Sequence, residues 1–554
     1  MDAMRREVRL TESCWPADRS EDVLELTLGE LLRQCAADVP ERVALVEGMA
    51  DPTLRRRWTY RQLLDSAETV ARALLRHFEP GERVAVWAAG SAEWVLLQHG
   101  AALAGLVLVT VNPAYLGAEL EHVLRTSRAA GIFHDDAWRS TDMAATLAAI
   151  RARLPELRHA VSFSRWRDFV AEGDPGIALP PVAPGDMIQI QFTSGTTGLP
   201  KGACLHHRGL INAARFAARR VGFADGGVWV SAMPLFHVGG CASGEFGTFT
   251  HRGTLVMVPV FDPAVMLELI EAERGNHVHA VPTMLIALLD HPDRLRRDLR
   301  SLRTLMSGGS PVPATLVRRA CASFGCKLTI TFGQTELNGV ICQTFPDDDP
   351  ELQAQTIGRP APGMEVKIAD PATGAVLPLG VAGEIWARGY QSMLGYFNVG
   401  AGADSALTAD GWLKTGDLAT MDERGYLRIT GRLKDSIIRG GENIYPREIE
   451  DVLLGHPAIS QAAVIGIPDE KWGEVVAAVL REKPGTARPD AAALHAYCRA
   501  RMAAYKSPVA WFYVDAYPLT ASGKIQKFVL RDMIRDGALM AEPFSRPTRA
   551  IDPA

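Results

Sequence analysis

Residues 188–202 read Ile188-Gln-Ile-Gln-Phe-Thr193-Ser-Gly-Thr-Thr-Gly-Leu-Pro-Lys201-Gly202, a strand-like run followed at once by a loop of glycine and hydroxyl residues. Glycine lets the backbone turn tightly and offers N–H groups to phosphate oxygens. Hydroxyls and the Lys201 charge add further donors, so the run predicts a phosphate-binding loop at a strand-to-helix turn. It is not a Walker A loop, because Lys201 follows Pro200 and no Ser or Thr follows the lysine. Ordinary P-loop kinases and ATPases are therefore disfavoured.

The pattern on both sides of this loop alternates strand-like apolar runs with amphipathic helices, which predicts an α/β fold. A hairpin is expected from the turn Asp422-Glu-Arg-Gly425. After Arg432 the texture changes to a smaller α+β module whose first helix opens at Pro446. At 554 residues the chain is expected to form at least two domains. Strands are predicted at 84–87, 188–192, 228–231, 303–307, 327–330, 414–420, 426–430 and 436–438.

Bulk properties exclude several classes of protein. The formal net charge is −5, and no basic stripe points to nucleic acid. The eight cysteines show neither a disulfide framework nor a zinc spacing, which predicts reduced thiols and a cytoplasmic location. The N-terminus lacks the apolar core of a signal peptide. Residues 101–111 are too short to span a bilayer and predict a buried helix-to-strand passage, so we expect no transmembrane anchor.

Six further motifs follow the loop, most of them at the ends of predicted strands. A carboxylate beside hydroxyls suits Mg²⁺ together with phosphate oxygens. Paired glycines allow a ligand to approach the backbone. The motifs are Pro234-Leu-Phe-His237, Ser307-Gly-Gly-Ser-Pro311, Thr331-Phe-Gly-Gln-Thr-Glu336, Trp412-Leu-Lys-Thr-Gly-Asp417, Gly431-Arg-Leu-Lys-Asp435 and Pro518-Leu-Thr-Ala-Ser-Gly-Lys524.

In this order the motifs resemble those of the acyl-adenylate-forming superfamily, which includes acyl-CoA synthetases, peptide-synthetase adenylation domains and luciferases. The resemblance covers nearly the whole chain. It implies an N-terminal domain of layered sheets and helices over 1–431 and a small mobile α+β domain over 432–554, with a hinge at 432–436. It also implies an AMP-forming acid–thiol ligase that uses a carboxylic acid, ATP, Mg²⁺ and coenzyme A.

The same resemblance assigns roles to residues. Lys524, Lys201 and Glu336 are implied to be catalytic, and Glu336 to hold Mg²⁺. Lys434 is implied to be the pivot of the hinge, and Gly440 and Gly441 to line the path of coenzyme A. ATP and AMP are implied to contact Thr193, Ser194, Gly195, Thr196, Thr197, Gly198, Lys201, Gly309, Ser310, Phe332, Gly333, Gln334, Thr335, Asp417, Arg432 and Lys524. The acyl pocket is implied to involve His237, Val238, Gly239, Gly240, Thr283, Gly308 and Gly309.

The nature of the acid stays open at this point. Small residues after His237 leave room for a medium or long aliphatic chain, but the same glycines would equally serve close helix packing. An aryl acid, or transfer to an acyl carrier protein, are the alternatives, and the sequence leaves a homodimer open. No acidic residue lies between Pro234 and Gly244 to answer an amino-acid ammonium group, which disfavours a peptide-synthetase unit. A non-catalytic regulator is disfavoured because Lys524 and Glu336 are both present.

Overall fold

The computed structural model describes residues 8–193, 200–399, 406–439, 442–519 and 525–544. The chain divides into two compact units. The first contains residues 1–367, 386–415 and 421–428, and the second contains residues 368–385, 416–420 and 429–554.

The first unit holds a seven-stranded sheet whose central strands are parallel. The sheet carries the predicted phosphate loop, because Met187–Thr193 pairs with Lys201–His206 across it. Apolar residues of 107–111 and 84–87 pack against outer helices to form one core cluster. In spatial order its strands are Gly395–Tyr396, Lys201–His206, Met187–Thr193, Val107–Val111, Arg83–Trp87, Gly131–His134 and His159–Ser162.

A nine-stranded sheet in the same unit is also mainly parallel. Its valine and leucine side chains at alternate positions of successive strands form a second core cluster. The strand carrying Glu336's motif lies third from one edge. In spatial order the strands are Arg359–Pro360, Gly339–Gln343, Lys327–Gln334, Thr304–Gly308, His277–His279, Val228–Ser231, Thr254–Met257, Val43–Glu47 and Arg57–Thr59.

Helices surround and separate these sheets. Ala92–Leu103 is buried on nearly every side, and with the π-helix Gly239–Phe246 it lies between the two sheets. The other helices of the unit are Leu28–Asp38, Tyr60–Leu75, Gly117–Ser127, Met143–Arg151, Trp166–Val170, His207–Val221, Gly247–Phe249, Pro263–Ala272, Pro282–Asp290, Ala314–Phe324 and Pro350–Gln355, with 3-10 turns at Pro52–Leu54, Phe163–Arg165, Pro292–Leu295 and Thr335–Leu337.

In its described residues, the second unit packs three helices around a five-stranded sheet. Its long antiparallel pair, Ile459–Asp469 and Gly473–Glu482, forms the centre. The other strands are Ile437–Arg439, Glu442–Ile444 and Ala510–Tyr513, and the helices are Pro446–Leu454, Ala491–Arg499 and Lys527–Arg535.

Strands outside these three sheets are Cys14–Trp15, Ala137–Trp138, Thr141–Asp142, Met364–Ala369, Gly383–Gly389, Leu413–Met421 and Leu427–Arg432, and the 3-10 turn Leu433–Asp435 follows the last of them.

The predicted strands are confirmed, with ends that differ by a few residues. The helix-to-strand passage is confirmed too, since Ala92–Leu103 is followed by Val107–Val111. Gly425 closes the predicted turn with φ +81°. The strand-to-helix turn expected at the phosphate loop is wrong. Lys201–His206 forms a buried strand antiparallel to Met187–Thr193, and the helix begins only at His207.

Within the described ranges, no helix combines the length and the apolarity needed to cross a bilayer.

Candidate active site

The two ends of the phosphate loop meet at the edge of the seven-stranded sheet. Thr193 and Lys201 are register partners in the antiparallel pair, so the two residues that flank the loop lie side by side. Lys201 is half-buried, with its ammonium 5.4 Å from the centre of the Tyr396 ring. Of the predicted phosphate ligands, Ser194, Gly195, Thr196, Thr197 and Gly198 lie outside the described residues.

Glu336 lies at the same edge, half-buried, in the 3-10 turn Thr335–Leu337. Its Oε1 accepts hydrogen bonds from Thr193 Oγ1 at 3.1 Å and from the Tyr396 hydroxyl at 3.0 Å. The backbone carbonyl of Glu336 also accepts a bond from Met393 N at 2.9 Å. The carboxylate predicted to hold the metal is therefore fixed beside both ends of the phosphate loop.

The motif that leads to Glu336 contains a register shift between Phe332 and Gly333 in the pairing with the strand Gly339–Gln343. Phe332 is half-buried, and Gln334 Nε2 donates to the Thr415 carbonyl at 2.9 Å. Gly333 is required by packing, since a Cβ there would lie 2.1 Å from the Gly339 carbonyl oxygen. Thr335 is buried below the turn. The strand and the turn that follows it thus hold Phe332 and Glu336 on a backbone fixed by neighbouring strands.

The Ser307–Pro311 loop leaves the adjacent strand. Gly308 is buried, and a Cβ on it would lie 2.4 Å from the Thr331 carbonyl oxygen, so the neighbouring strand explains this glycine. Gly309 has φ +77° and is exposed, as is Ser310. Of the three residues of this loop that were predicted to contact a ligand, Gly309 and Ser310 are therefore accessible and Gly308 is not.

The segment after Pro234 combines a half-buried histidine with close packing. The Gly239 N–H donates to His237 Nδ1 at 3.0 Å, which fixes the ring. A Cβ on Gly240 would lie 2.2 Å from the Pro234 carbonyl oxygen, whereas a Cβ on Gly239 would meet the end of the Met233 side chain at 2.9 Å. The close approach of the Pro234 backbone therefore explains why position 240 is a glycine. Of the other two predicted pocket residues, Val238 is buried and Thr283 is exposed at the start of the helix Pro282–Asp290.

The second unit holds its own charged pair. Asp417 is buried, and its Oδ1 accepts a bond from Arg432 Nε at 2.7 Å. The adjacent Gly416 N–H donates to Glu384 Oε1 at 2.9 Å. Lys434 is exposed on the 3-10 turn that follows Arg432. The structure therefore brings these two predicted nucleotide ligands, Asp417 and Arg432, into direct contact. Gly440, Gly441 and Lys524 lie outside the described residues.

Tyr396 is the contact that sequence reasoning did not identify. It lies on a strand of only two residues, Gly395–Tyr396, far along the chain from Glu336. No local pattern distinguishes it from other tyrosines, because its role depends on pairing between Tyr396 and Ala203. Glu245, the acidic residue that directly follows Gly244, is fully buried and bonded to Gln98 and His99. It is therefore not available to pair with an amino-acid ammonium group.

Two family models match the chain. The AMP-binding enzyme family matches residues 32–397. The AMP-binding enzyme C-terminal domain matches residues 448–524. Both the loop at 193–201 and the cluster around Glu336 fall inside the first match, and Lys524 is the last residue of the second.

Named relatives cover nearly the whole chain. The Bacillus subtilis (strain 168) protein named "Putative acyl-CoA synthetase YngI" is 38% identical over 544 residues, which cover 92% of this chain and 97% of that protein. The Mus musculus "Medium-chain acyl-CoA ligase ACSF2, mitochondrial" is 35% identical over 546 residues, covering 92% of this chain and 88% of the relative.

A solved structure shares the fold. The o-succinylbenzoate CoA synthetase (MenE) from Bacillus subtilis, in complex with the acyl-adenylate intermediate OSB-AMP, superposes with a TM-score of 0.80 and 30% identity. The match covers 94% of this chain and 100% of that one. A large N-terminal domain with a small C-terminal domain is common to both.

Proposed function

The chain belongs to the AMP-binding enzyme family, as an AMP-forming acid–CoA ligase, and on that premise we propose that it activates a medium- or long-chain fatty acid as an acyl-adenylate and transfers the acyl group to coenzyme A. The observation that carries the adenylation step is the Glu336 carboxylate, fixed by Thr193 and Tyr396 beside the two ends of the phosphate loop. Eight unpaired cysteines support a cytoplasmic location.

The first step joins two anions, and this sets what the residues must supply. A fatty carboxylate is ionised at neutral pH and attacks the α-phosphorus without a general base. Positioning and positive charge must therefore lower the barrier. In this proposal Lys201 and the loop donors hold the phosphates, and Lys524 bridges the carboxylate and the α-phosphate. Pyrophosphate leaves, and one carboxylate oxygen becomes the bridge to AMP.

Mg²⁺ fits the cluster in the first unit. The described residues contain no group of three or more His, Cys, Asp or Glu side chains that could hold a metal by themselves. Mg²⁺ commonly binds one carboxylate, substrate phosphates and several waters, and the single, half-buried Glu336 provides that carboxylate. Bound there, the ion would neutralise phosphate charge. Thr193 and Tyr396 would hold the carboxylate in one orientation.

The second step needs a thiol to reach the carbonyl of the adenylate. We propose that the domain over 432–554 rotates about Lys434, within the hinge 432–436, and withdraws Lys524. Gly440 and Gly441 would then line the path of the pantetheine arm. Exposure of Lys434 on a short turn supports a pivot at that position.

Two observations bear on the acid. The name of the Mus musculus relative specifies medium-chain acids, and this favours an aliphatic substrate. The solved neighbour acts on o-succinylbenzoate, and this favours an aryl acid as the second candidate. Close packing at Gly240 narrows the space that small residues were expected to leave. A Cβ on Gly239 would meet side chains instead of backbone, namely the end of Met233 at 2.9 Å and the His237 ring at 3.3 Å. The aliphatic proposal therefore depends on the space beside Gly239 and His237.

A substrate panel tests the proposal. Purified protein with Mg·ATP is supplied with saturated fatty acids, aryl acids, and coenzyme A or an acyl carrier protein. We expect AMP, pyrophosphate and a mass-verified acyl-CoA with aliphatic acids. The Gly239→Trp variant should lose activity with the longer acids first. Turnover with aryl acids alone, or acyl transfer only to the carrier protein, would contradict the proposal.

A further inference from the structure

A row of buried polar side chains crosses the interior of the first unit, and the adenylation chemistry above does not use it. Two of its members lie on the helix Ala92–Leu103, two on the strand Met187–Thr193, and two on the π-helix Gly239–Phe246. Each is at most 3% exposed. We call the row the interior polar chain; it consists of His99, Glu245, Gln98, Gln189, Gln191 and Cys241.

The interior polar chain is hydrogen-bonded in one direction. Gln98 Nε2 donates to Glu245 Oε2 at 2.9 Å, and the second carboxyl oxygen of Glu245 is 2.7 Å from His99 Nε2. Gln189 Nε2 donates to Gln98 Oε1 at 2.5 Å, and Gln191 Nε2 donates to Gln189 Oε1 at 2.8 Å. Each amide thus donates toward Glu245, and such aligned bonds reinforce one another.

At the end away from Glu245, the interior polar chain forms a contact between the strand Met187–Thr193 and the π-helix. Gln191 Nε2 donates to Cys241 Sγ at 3.3 Å, and Cys241 Sγ donates to Gln189 Oε1 at 3.6 Å. Cys241 directly follows Gly240, the last residue of the predicted acyl-pocket segment. The strand Met187–Thr193 and that segment therefore approach each other at the Gln191–Cys241 contact.

The proposed site of phosphate chemistry lies next to the same strand, at Thr193. Side chains two apart share a face of a strand, so Thr193, Gln191 and Gln189 lie along one face. Thr193 bonds Glu336, where phosphate chemistry is proposed, and Gln191 is about 7 Å further in at ~3.4 Å per residue. An acyl chain that enters between His237 and this strand would run toward Gln191 and Cys241.

Resting on the function proposed above, we propose that the Gln191–Cys241 contact closes the inner end of the acyl site and limits the length of the aliphatic chain that is accepted. An alkyl chain that separated the pair would leave one N–H of the buried Gln191 amide without its acceptor, while the bond to Gln189 remained. One unsatisfied buried donor lowers affinity roughly 5- to 150-fold. One further buried methylene raises affinity only about fourfold. A fatty acid that already reaches the contact gains no affinity from an added methylene. This predicts a sharp upper limit on the accepted chain length, within the medium-chain range.

The test compares chain-length profiles of variants with the full-length enzyme. Gln191→Ala removes the amide from the contact, and Cys241→Ala removes only the thiol. The smaller change in Cys241→Ala keeps the test valid if Gln191→Ala does not fold. The ratio of kcat/KM for dodecanoate to that for octanoate should rise in both, by up to about fourfold per extra methylene accommodated. Gln343→Ala is the matched control, since Gln343 is a buried glutamine that bonds Thr329 in the other sheet.

The outcomes separate this inference from the function it rests on. A loss of packing alone would lower kcat/KM equally for both acids, as expected for Gln343→Ala. An unchanged ratio in both contact variants, or an equal rise in the control, would overturn the inference while the wild-type enzyme still forms acyl-CoA. Failure of the wild-type enzyme to form AMP with any fatty acid would instead refute the proposed function.

Discussion

Replacing Glu336 with glutamine removes one negative charge and little else. Glutamine has the same length and keeps an oxygen that can accept the bonds from Thr193 at 3.1 Å and Tyr396 at 3.0 Å. If Glu336 holds the metal at the phosphates, the variant loses a contact that strengthens in the transition state. Loss of one such stabilising group commonly costs roughly 10²–10³ in rate. We therefore expect kcat for adenylation to fall by that factor.

Tyr396→Phe provides the control, because it removes one hydrogen bond to the same oxygen and leaves the carboxylate. A hydrogen bond to a charged group contributes roughly 1.5–3 kcal/mol, of which reorientation of a half-buried carboxylate recovers a part. We expect a decrease of about tenfold.

The assay is the rate of pyrophosphate release at saturating acid while the Mg²⁺ concentration is varied. The Mg²⁺ concentration for half-maximal rate should rise in Glu336→Gln and stay near the wild-type value in Tyr396→Phe. The reasoning is refuted if the two variants lose the same rate and share the wild-type Mg²⁺ dependence. Glu336 would then orient the loop without contacting the ion.

Three further predictions concern other parts of the chain. Lys524→Ala, or chemical acetylation of Lys524, should slow adenylate formation by roughly 10²–10³. Thioester formation from a synthetic acyl-adenylate should keep its rate, and an equal loss of rate in both steps would contradict the proposed role of Lys524. Asp417→Asn weakens the bond to Arg432 and should raise the dissociation constant for AMP in calorimetry by about tenfold, whereas the exposed Asp410→Asn should leave it unchanged. Burial lowers the pKa of His207 from 6.5 to about 3, so protonation favours the unfolded chain. The free energy of unfolding should then fall as pH drops from 6.5 toward 3, by up to about 1.4 kcal/mol per pH unit, and a slope that His207→Gln leaves unchanged would exclude this residue as its source.

Local patterns predicted much of the first unit. Short apolar runs bounded by glycine and proline located the strands at 228–231 and 327–330 within a few residues. The positions of Thr193, Lys201 and Glu336 also followed from motifs. Each residue lies at or next to the end of a strand, and strand pairing brings such ends close together. In the second unit, the helix starting at Pro446 was predictable from proline at its first position.

Contacts set by long-range pairing were not predictable. Tyr396 reaches Glu336 only because its two-residue strand pairs with Ala203 at the sheet edge. Residues 201–206 form a strand where the start of a helix was expected, because their backbone pairs with the preceding strand. Gly240 and Gly308 suggested open space for a ligand, yet both make room for a neighbouring backbone. Periodicity and motifs carry no information on which of these uses a glycine serves.

The measurement that tests the central claim most directly follows one oxygen atom. A fatty acid labelled with heavy oxygen in its carboxyl group is turned over with Mg·ATP and coenzyme A, and the AMP is analysed by mass spectrometry. Carboxylate attack on the α-phosphorus followed by thiol attack on the acyl carbon leaves one labelled oxygen on AMP, and this is the predicted result. Unlabelled AMP, or label found in pyrophosphate or in phosphate with ADP as the nucleotide, would contradict the acyl-adenylate mechanism.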